Sequence, residues 1–183
     1  VVALVGRSNV GKSSLVNALT QSKLARTGAS AGTTRLLNVY RVRVAAGPRG
    51  SVGLTVIDFP GYGYARGGEE TRQTFDELSQ NFFDRATRGS PRATRDEFRL
   101  AIVILVVDAR HPGLESDLTA RSWLADRGHP LLTVITKIDK LKGAKRVATV
   151  RKHTALLGTV TEVSSRMGDG IPKVWSALVG QLL

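Results

Sequence analysis

Apolar residues along the chain alternate between short unbroken runs and longer stretches that repeat every three to four positions. Val1 to Val5, Leu100 to Val107 and Leu131 to Thr136 contain no charged residue. Runs of this length read as strands of a parallel sheet covered on both faces. Asn38 to Val44 alternates instead, with Tyr40, Val42 and Val44 on one face and Arg41 and Arg43 on the other. That is the pattern of a half-buried edge strand. Gly47-Pro48-Arg49-Gly50 is a turn, Leu54 to Ile57 is the next strand, and Val160 to Val163 is a short one.

Between these runs the period becomes helical. Lys12 to Gln21 places Leu15, Ala18 and Leu19 on one face. Residues 70–88 read as a helix with Phe75, Leu78 and Phe82 inward. Leu114 to Ala125 and residues 143–156 are two more. Ile171, Val174, Trp175, Leu178 and Leu182 mark a closing amphipathic helix. Strands alternating with helices predict an α/β doubly wound sheet. No internal repeat or linker is visible, so residues 1–183 are expected to form one domain. Residues 84–99 are the one loop-like insertion, since Gly89, Ser90 and Pro91 break a helix there.

Composition narrows the picture. The chain has 183 residues, 42% hydrophobic and 23% charged, enough for one globular domain. It has no cysteine, which excludes disulfides and thiolate metal sites. The longest apolar run, Leu100 to Val107, is too short to span a bilayer. No signal peptide is visible, but the chain opens at Val1 directly on a strand-like run. Residues upstream are therefore expected, and a targeting segment could lie among them. The net charge is +12, and Arg outnumbers Lys 19 to 8. Such a field attracts polyanions, nucleic acid above all, although a basic surface also serves solubility.

Five segments carry candidate chemistry. Gly6-Arg7-Ser8-Asn9-Val10-Gly11-Lys12-Ser13 matches G-x-x-x-x-G-K-[ST], follows a strand and opens a helix, with Ser14 next. Its amides can surround a phosphate chain at a positive helix terminus. Lys12 would reach the β- and γ-phosphates, and the Ser13 hydroxyl would bind Mg²⁺. Asp58-Phe59-Pro60-Gly61 closes a strand; Asp58 can hold Mg²⁺ through water, and the Gly61 amide can sense the γ-phosphate. Thr136-Lys137-Ile138-Asp139 also ends a strand. Asp139 can accept two hydrogen bonds from guanine, which adenine cannot match, while the Lys137 stem covers the base. Val163-Ser164-Ser165 could offer amides to the guanine carbonyl. Gly32-Thr33-Thr34-Arg35 could complete the Mg²⁺ shell only when a γ-phosphate is present, an order–disorder switch. Thr34 is the chosen ligand, with Thr33 as the alternative.

With these motifs in view, the chain resembles the EngB family of ribosome-assembly GTPases, within the TrmE–Era–EngA–EngB–septin-like class. The resemblance rests on GRSNVGKSSLVNAL (6–19), AGTTRLLN (31–38), DFPGYGYA (58–65), VVDARH (106–111) and TKIDKL (136–141). It implies a three-layer, Ras-like P-loop fold, with a six-stranded, mostly parallel sheet and one antiparallel edge strand. It implies GTP and GDP as ligands, Mg²⁺, and a switch role in late assembly of the large ribosomal subunit. It also implies a link to cell division and septation. The turn near 46–52, the Arg-rich loop 84–99 and the basicity depart from the family pattern. Location in a bacterial-type cytoplasm is expected, with the mitochondrial matrix as the alternative.

Where many GTPases carry a water-orienting glutamine, this chain has Tyr62, so slow intrinsic hydrolysis is expected. Asn9 occupies the place where related GTPases hold a potassium ion; the alternative is an asparagine that stabilises the loop. Two basic groups could meet rRNA or be solvated faces. One is Lys140, Lys142, Lys145, Arg146, Arg151 and Lys152; the other is Arg85, Arg88, Arg92, Arg95 and Arg99. Tyr62 and Tyr64 could stack on bases or pack locally. His111 and His129 read as structural. A monomer without membrane contact is expected. The competing readings are a non-hydrolysing, nucleotide-bound RNA scaffold and a GTPase of the same class with another partner.

Overall fold

The computed structural model describes residues 1–25, 37–45, 51–62, 77–86 and 99–182. Its strands are β1 (Val2–Gly6), β2 (Asn38–Ala45), β3 (Ser51–Asp58), β4 (Ile102–Asp108), β5 (Leu131–Thr136) and β6 (Val160–Glu162). Its helices are α1 (Lys12–Thr20), α2 (helical over 77–86), α3 (Glu115–Ala125), α4 (Gly143–Leu157) and α5 (Ile171–Leu182), with a 3-10 turn at Ile138–Lys140. The six strands stand in the order β2-β3-β1-β4-β5-β6. Among the described strands only β2 runs antiparallel to its neighbour, at the edge. This is the three-layer P-loop architecture that the motifs and the resemblance implied.

Alternation along β1 splits the core in two. Val2 and Leu4 pack with Leu15, Val16 and Leu19 of α1 and Val174 and Leu178 of α5. Ala3 and Val5 pack on the other face with Phe82, Phe83, Leu124 and Leu157 of α2, α3 and α4. Because β1 and β4 are buried at every position, their sequences show no polar face. On α1 the structure buries Val16, while Ala18 is half-buried. The Trp175 indole of α5 donates to the Leu19 carbonyl at 3.1 Å. Asn17 brackets the chain leaving α1 by bonding both the amide and the carbonyl of Ala25.

Several boundaries shift. β3 starts at Ser51 and ends at Asp58, because it pairs residue for residue with the eight residues of β2. β4 begins at Ile102; Leu100 and Ala101 are buried ahead of it. α3 begins at Glu115, with Leu114 as its N-cap. α4 extends to buried Leu157 and stops where Gly158 takes φ 78°. β6 ends at Glu162, one residue early. Residues 84–86 belong to α2, so that part of the expected insertion is helical. Phe83, not singled out by the helical period, is 1% exposed and packs on Phe59, Phe82 and Trp123. The turn 47–50, Phe75 and residues 87–98 lie outside the described residues.

Candidate functional site

β1, β3 and β5 end on one edge of the sheet, and each is followed by a motif segment. After β1 the chain turns through Asn9 (φ 61°) and Gly11 (φ 110°) before α1 begins at Lys12. Asparagine and glycine tolerate that left-handed backbone better than other residues. A Cβ on Gly6 would meet the Val106 carbonyl of β4, so the loop leaves the sheet tightly against it. Lys12 is only 7% exposed and donates to the carbonyls of Gly6 (2.9 Å) and Arg7 (3.1 Å). Burial pulls its pKa down to about 8, against the opposing charge of Asp58.

Asp58 ends β3 with no solvent exposure. Its Oδ2 accepts from the Ser13 hydroxyl at 3.3 Å, and its Oδ1 is buried without a hydrogen-bond partner. Burial raises its pKa, partly offset by Lys12 and Ser13. A serine hydroxyl beside a carboxylate with a spare oxygen is a donor set suited to a hard divalent cation. Pro60 is buried, and the Phe59 side chain lies wholly in the aromatic core against Phe82 and Phe83. Phe59 therefore has only backbone to offer a ligand. Gly61 touches the Gly6–Ser13 loop closely enough that a Cβ would meet Ser8 backbone and side-chain atoms.

The third segment is tied to the first. The Thr136 hydroxyl, 1% exposed, lies within hydrogen-bond reach of the carbonyls of Val10 and Val107. Its side chain thus anchors the loop. Lys137, at φ 60°, directs its ammonium to the Asn9 carbonyl and to Asp108 Oδ2 at 2.9 Å. Ile138 is buried, which turns Asp139 outward to accept from the Ser164 hydroxyl at 2.9 Å. Ser164 follows Val163 and is fully buried, while Ser165 is half-buried. The Ser164 amide donates to the Asp169 carbonyl. A Cβ on Gly170 (φ 75°) would meet the Glu162 carbonyl, so this turn requires glycine.

The structure thus brings Lys12, Ser13 and Asp58 together at one end, and Lys137, Asp139 and Ser164 at the other. Ser14 is half-buried on α1. Gly32, Thr33, Thr34 and Tyr64 lie outside the described residues. The Tyr62 hydroxyl donates to Asp117 of α3 at 3.0 Å. Lys142, Lys145, Arg151 and Lys152 are exposed on or beside α4, whereas Arg146 pairs with Glu162 at 2.8 Å. Arg85 and Arg99 are exposed; Arg88, Arg92 and Arg95 lie outside the described residues.

Two carboxylates were not singled out from the sequence. Asp108 ends β4, 3% exposed. Burial would raise its pKa, but hydrogen bonds from Arg110 and Lys137 hold it well below the usual carboxylate range. Its signal was its place at the end of an apolar strand, as for Asp58. Asp117 lies in the first turn of α3, where an acid reads simply as favourable to the helix. Among the described residues no helix is long and apolar enough to cross a membrane.

Comparison with known proteins agrees with this fold. Residues 1–137 match the model of a family described as "50S ribosome-binding GTPase". A Chlorobaculum tepidum protein named "Probable GTP-binding protein EngB" is 40% identical, over 97% of this chain and 84% of its own. A protein of the same name from Anaeromyxobacter sp. (strain K) is 37% identical, over 97% of this chain and 80% of its own. Among solved structures, that of a probable GTP-binding protein EngB superposes with TM-score 0.69 at 21% identity, covering 98% of this chain and 97% of that one. Aquifex aeolicus Era gives TM-score 0.74 at 22% identity, covering 98% and 56%. The Gly6–Ser13 loop, the strand-end Asp58 and the segments Thr136–Asp139 and Val163–Ser165 sit on a P-loop fold, and the chain belongs to the EngB family of GTP-binding proteins.

Proposed function

We propose that this chain binds GTP and GDP along the strand ends, hydrolyses GTP to GDP and phosphate, and acts as a switch in late assembly of the large ribosomal subunit. The observation that carries this is the convergence of Lys12, the Ser13–Asp58 pair and the Asp139–Ser164 pair on one sheet edge. The description of the matching family as 50S ribosome-binding supports the partner. Residues 1–183 act as a single G domain, monomeric when free and placed in the cytoplasm, or in the mitochondrial matrix of an organellar member.

In this reading Asp139 accepts from the guanine edge while Ser164 holds its carboxylate in line. Lys137 covers the base with its stem, its ammonium tied to the loop and Asp108. Backbone amides of residues 6–14 enclose the phosphates, and the Gly61 amide meets the terminal one. Lys12 leaves its two carbonyls for the β- and γ-phosphates, whose charge favours the ammonium form. Ser13, Asp58 through water, and Thr34, or alternatively Thr33, would hold Mg²⁺, which when bound neutralises charge on the transferred phosphoryl. Asn9 would hold potassium. Tyr62 is turned toward α3 and supplies no base, so intrinsic turnover is slow.

Two experiments test this. Asp139→Asn should weaken GTP and GDP binding at least about tenfold and relax the preference for guanine, and Lys12→Ala should abolish tight binding. Unchanged GTP affinity in Asp139→Asn would overturn the base pocket. Gradient co-sedimentation with large ribosomal subunits should show association with a non-hydrolysable GTP analogue and not with GDP. Association in both states, with no turnover on ribosomes, would favour a nucleotide-bound scaffold. Absence in both at low salt would remove the ribosome from the function. Equal turnover in potassium and sodium buffers would eliminate the potassium role of Asn9.

A further inference from the structure

Asp117 is 2% exposed, and a single oxygen of its carboxylate carries its hydrogen bonds. Oδ1 accepts from the Tyr62 hydroxyl at 3.0 Å and from Arg7 Nε at 3.2 Å. Arg7 opens the phosphate loop, and Tyr62 directly follows Asp58-Phe59-Pro60-Gly61. The backbones of these two residues form a parallel bridge. Beside it the Ser8 amide donates to the Tyr62 carbonyl and the Ser8 hydroxyl to the Gly61 carbonyl, each at 3.4 Å. The carboxylate therefore clasps the side chains of a pair whose backbones already touch.

Asp117 Oδ2 is buried with no hydrogen-bond partner. A carboxylate buried with an idle oxygen costs stability that an apolar side chain would not. Helix α3 does not need it, since exposed Glu115 already places an acid in the first turn. What Asp117 does is join three elements: the phosphate loop, the chain leaving β3, and α3.

We propose that Asp117 is a positioning residue that latches Gly61 and Tyr62 onto the phosphate loop, lowering the cost of ordering them against a nucleotide's terminal phosphate. This rests on the guanine-nucleotide reading above. The diphosphate uses the loop amides, Lys12 and the base pocket, and none of these needs Gly61. Only the triphosphate calls on the Gly61 amide, so the latch acts differently on the two ligands. A coupling of that kind shifts one equilibrium relative to the other.

The test uses the full chain and three variants: Tyr62→Phe, which keeps the ring, Asp117→Leu, and the two combined. Dissociation constants are measured for fluorescent GDP and for a fluorescent non-hydrolysable GTP analogue. Each single variant should weaken the analogue about fivefold or more relative to GDP. The double variant should be no worse than the weaker single, because both cut the same latch. Equal losses for both nucleotides would reduce Asp117 to a structural support and overturn the proposal, as would an unchanged ratio. Should Asp117→Leu fail to fold, Tyr62→Phe alone decides. An unsubstituted chain that bound neither nucleotide would overturn the guanine reading and the latch together, an outcome distinct from intact binding with an unchanged ratio.

Discussion

At Lys137 the backbone takes φ 60°, a conformation that costs a non-glycine residue about 1 kcal/mol or more. The ammonium offsets this by reaching Asn9 and Asp108 at once. Asp108 is the residue that makes such a geometry worth holding. Its folded-state pKa lies below the unfolded value, because the pull of Arg110 and Lys137 outweighs burial. Stabilisation from it is therefore complete above about pH 4 and drains away as the pH falls toward the folded value. Asp108→Asn should flatten the acid side of the stability profile, read from urea midpoints between neutral and acid pH. At neutral pH the same change should cost about 1.5–3 kcal/mol, the scale of a charge-assisted hydrogen bond. Gly170 makes a different demand. Gly170→Ala should lose about 2 kcal/mol or more, because φ 75° is strained for alanine and its methyl meets the Glu162 carbonyl. An unaltered melting temperature would contradict that.

Among the elements, the buried parallel strands were legible because both their faces are apolar. β3 was only half legible: Ser51, Gly53 and Thr55 interrupt its start, and antiparallel pairing with β2 extends it backward. α2 showed its helical period but hid Phe83, which fills the gap between Phe59 and Trp123. Phe83→Ala should cost about 3–5 kcal/mol in chemical unfolding, since it empties the centre of that cluster. The Thr136 and Phe59 side chains were motif letters in the sequence. In space the Thr136 side chain anchors the Gly6–Ser13 loop and the Phe59 side chain joins the aromatic core. α4 presents exposed Lys145, Arg151 and Lys152 and no acidic residue. If that face meets rRNA, Lys145→Glu with Lys152→Glu should weaken subunit binding and reduce its salt slope by about 2, near one unit per lost contact.

Across the whole molecule, what the sequence disclosed about the site was its spacing along strand ends. Gly6 to Ser13, Asp58 and Asp139 each follow an apolar run, so the fold's periodicity located them. Asp117 escaped because its partners Arg7 and Tyr62 stand 110 and 55 positions away. Nothing local marks a lone carboxylate as the meeting point of three elements. His153 escaped for the same reason: it is fully buried on α4 and reaches the Ala109 carbonyl at 3.2 Å across the core.

The Trp175 hydrogen bond to Leu19 has a practical corollary. The chain has two tryptophans, and the sheet separates them. Trp123 lies under the Arg127 guanidinium beside Phe83. Trp175 is joined to the last turn of the helix whose first residue is Lys12. In a Trp123→Phe background the remaining indole becomes an intrinsic optical gauge of that helix. Ligand capture at the front of α1 would then register as a change in emission at its back, with no label added.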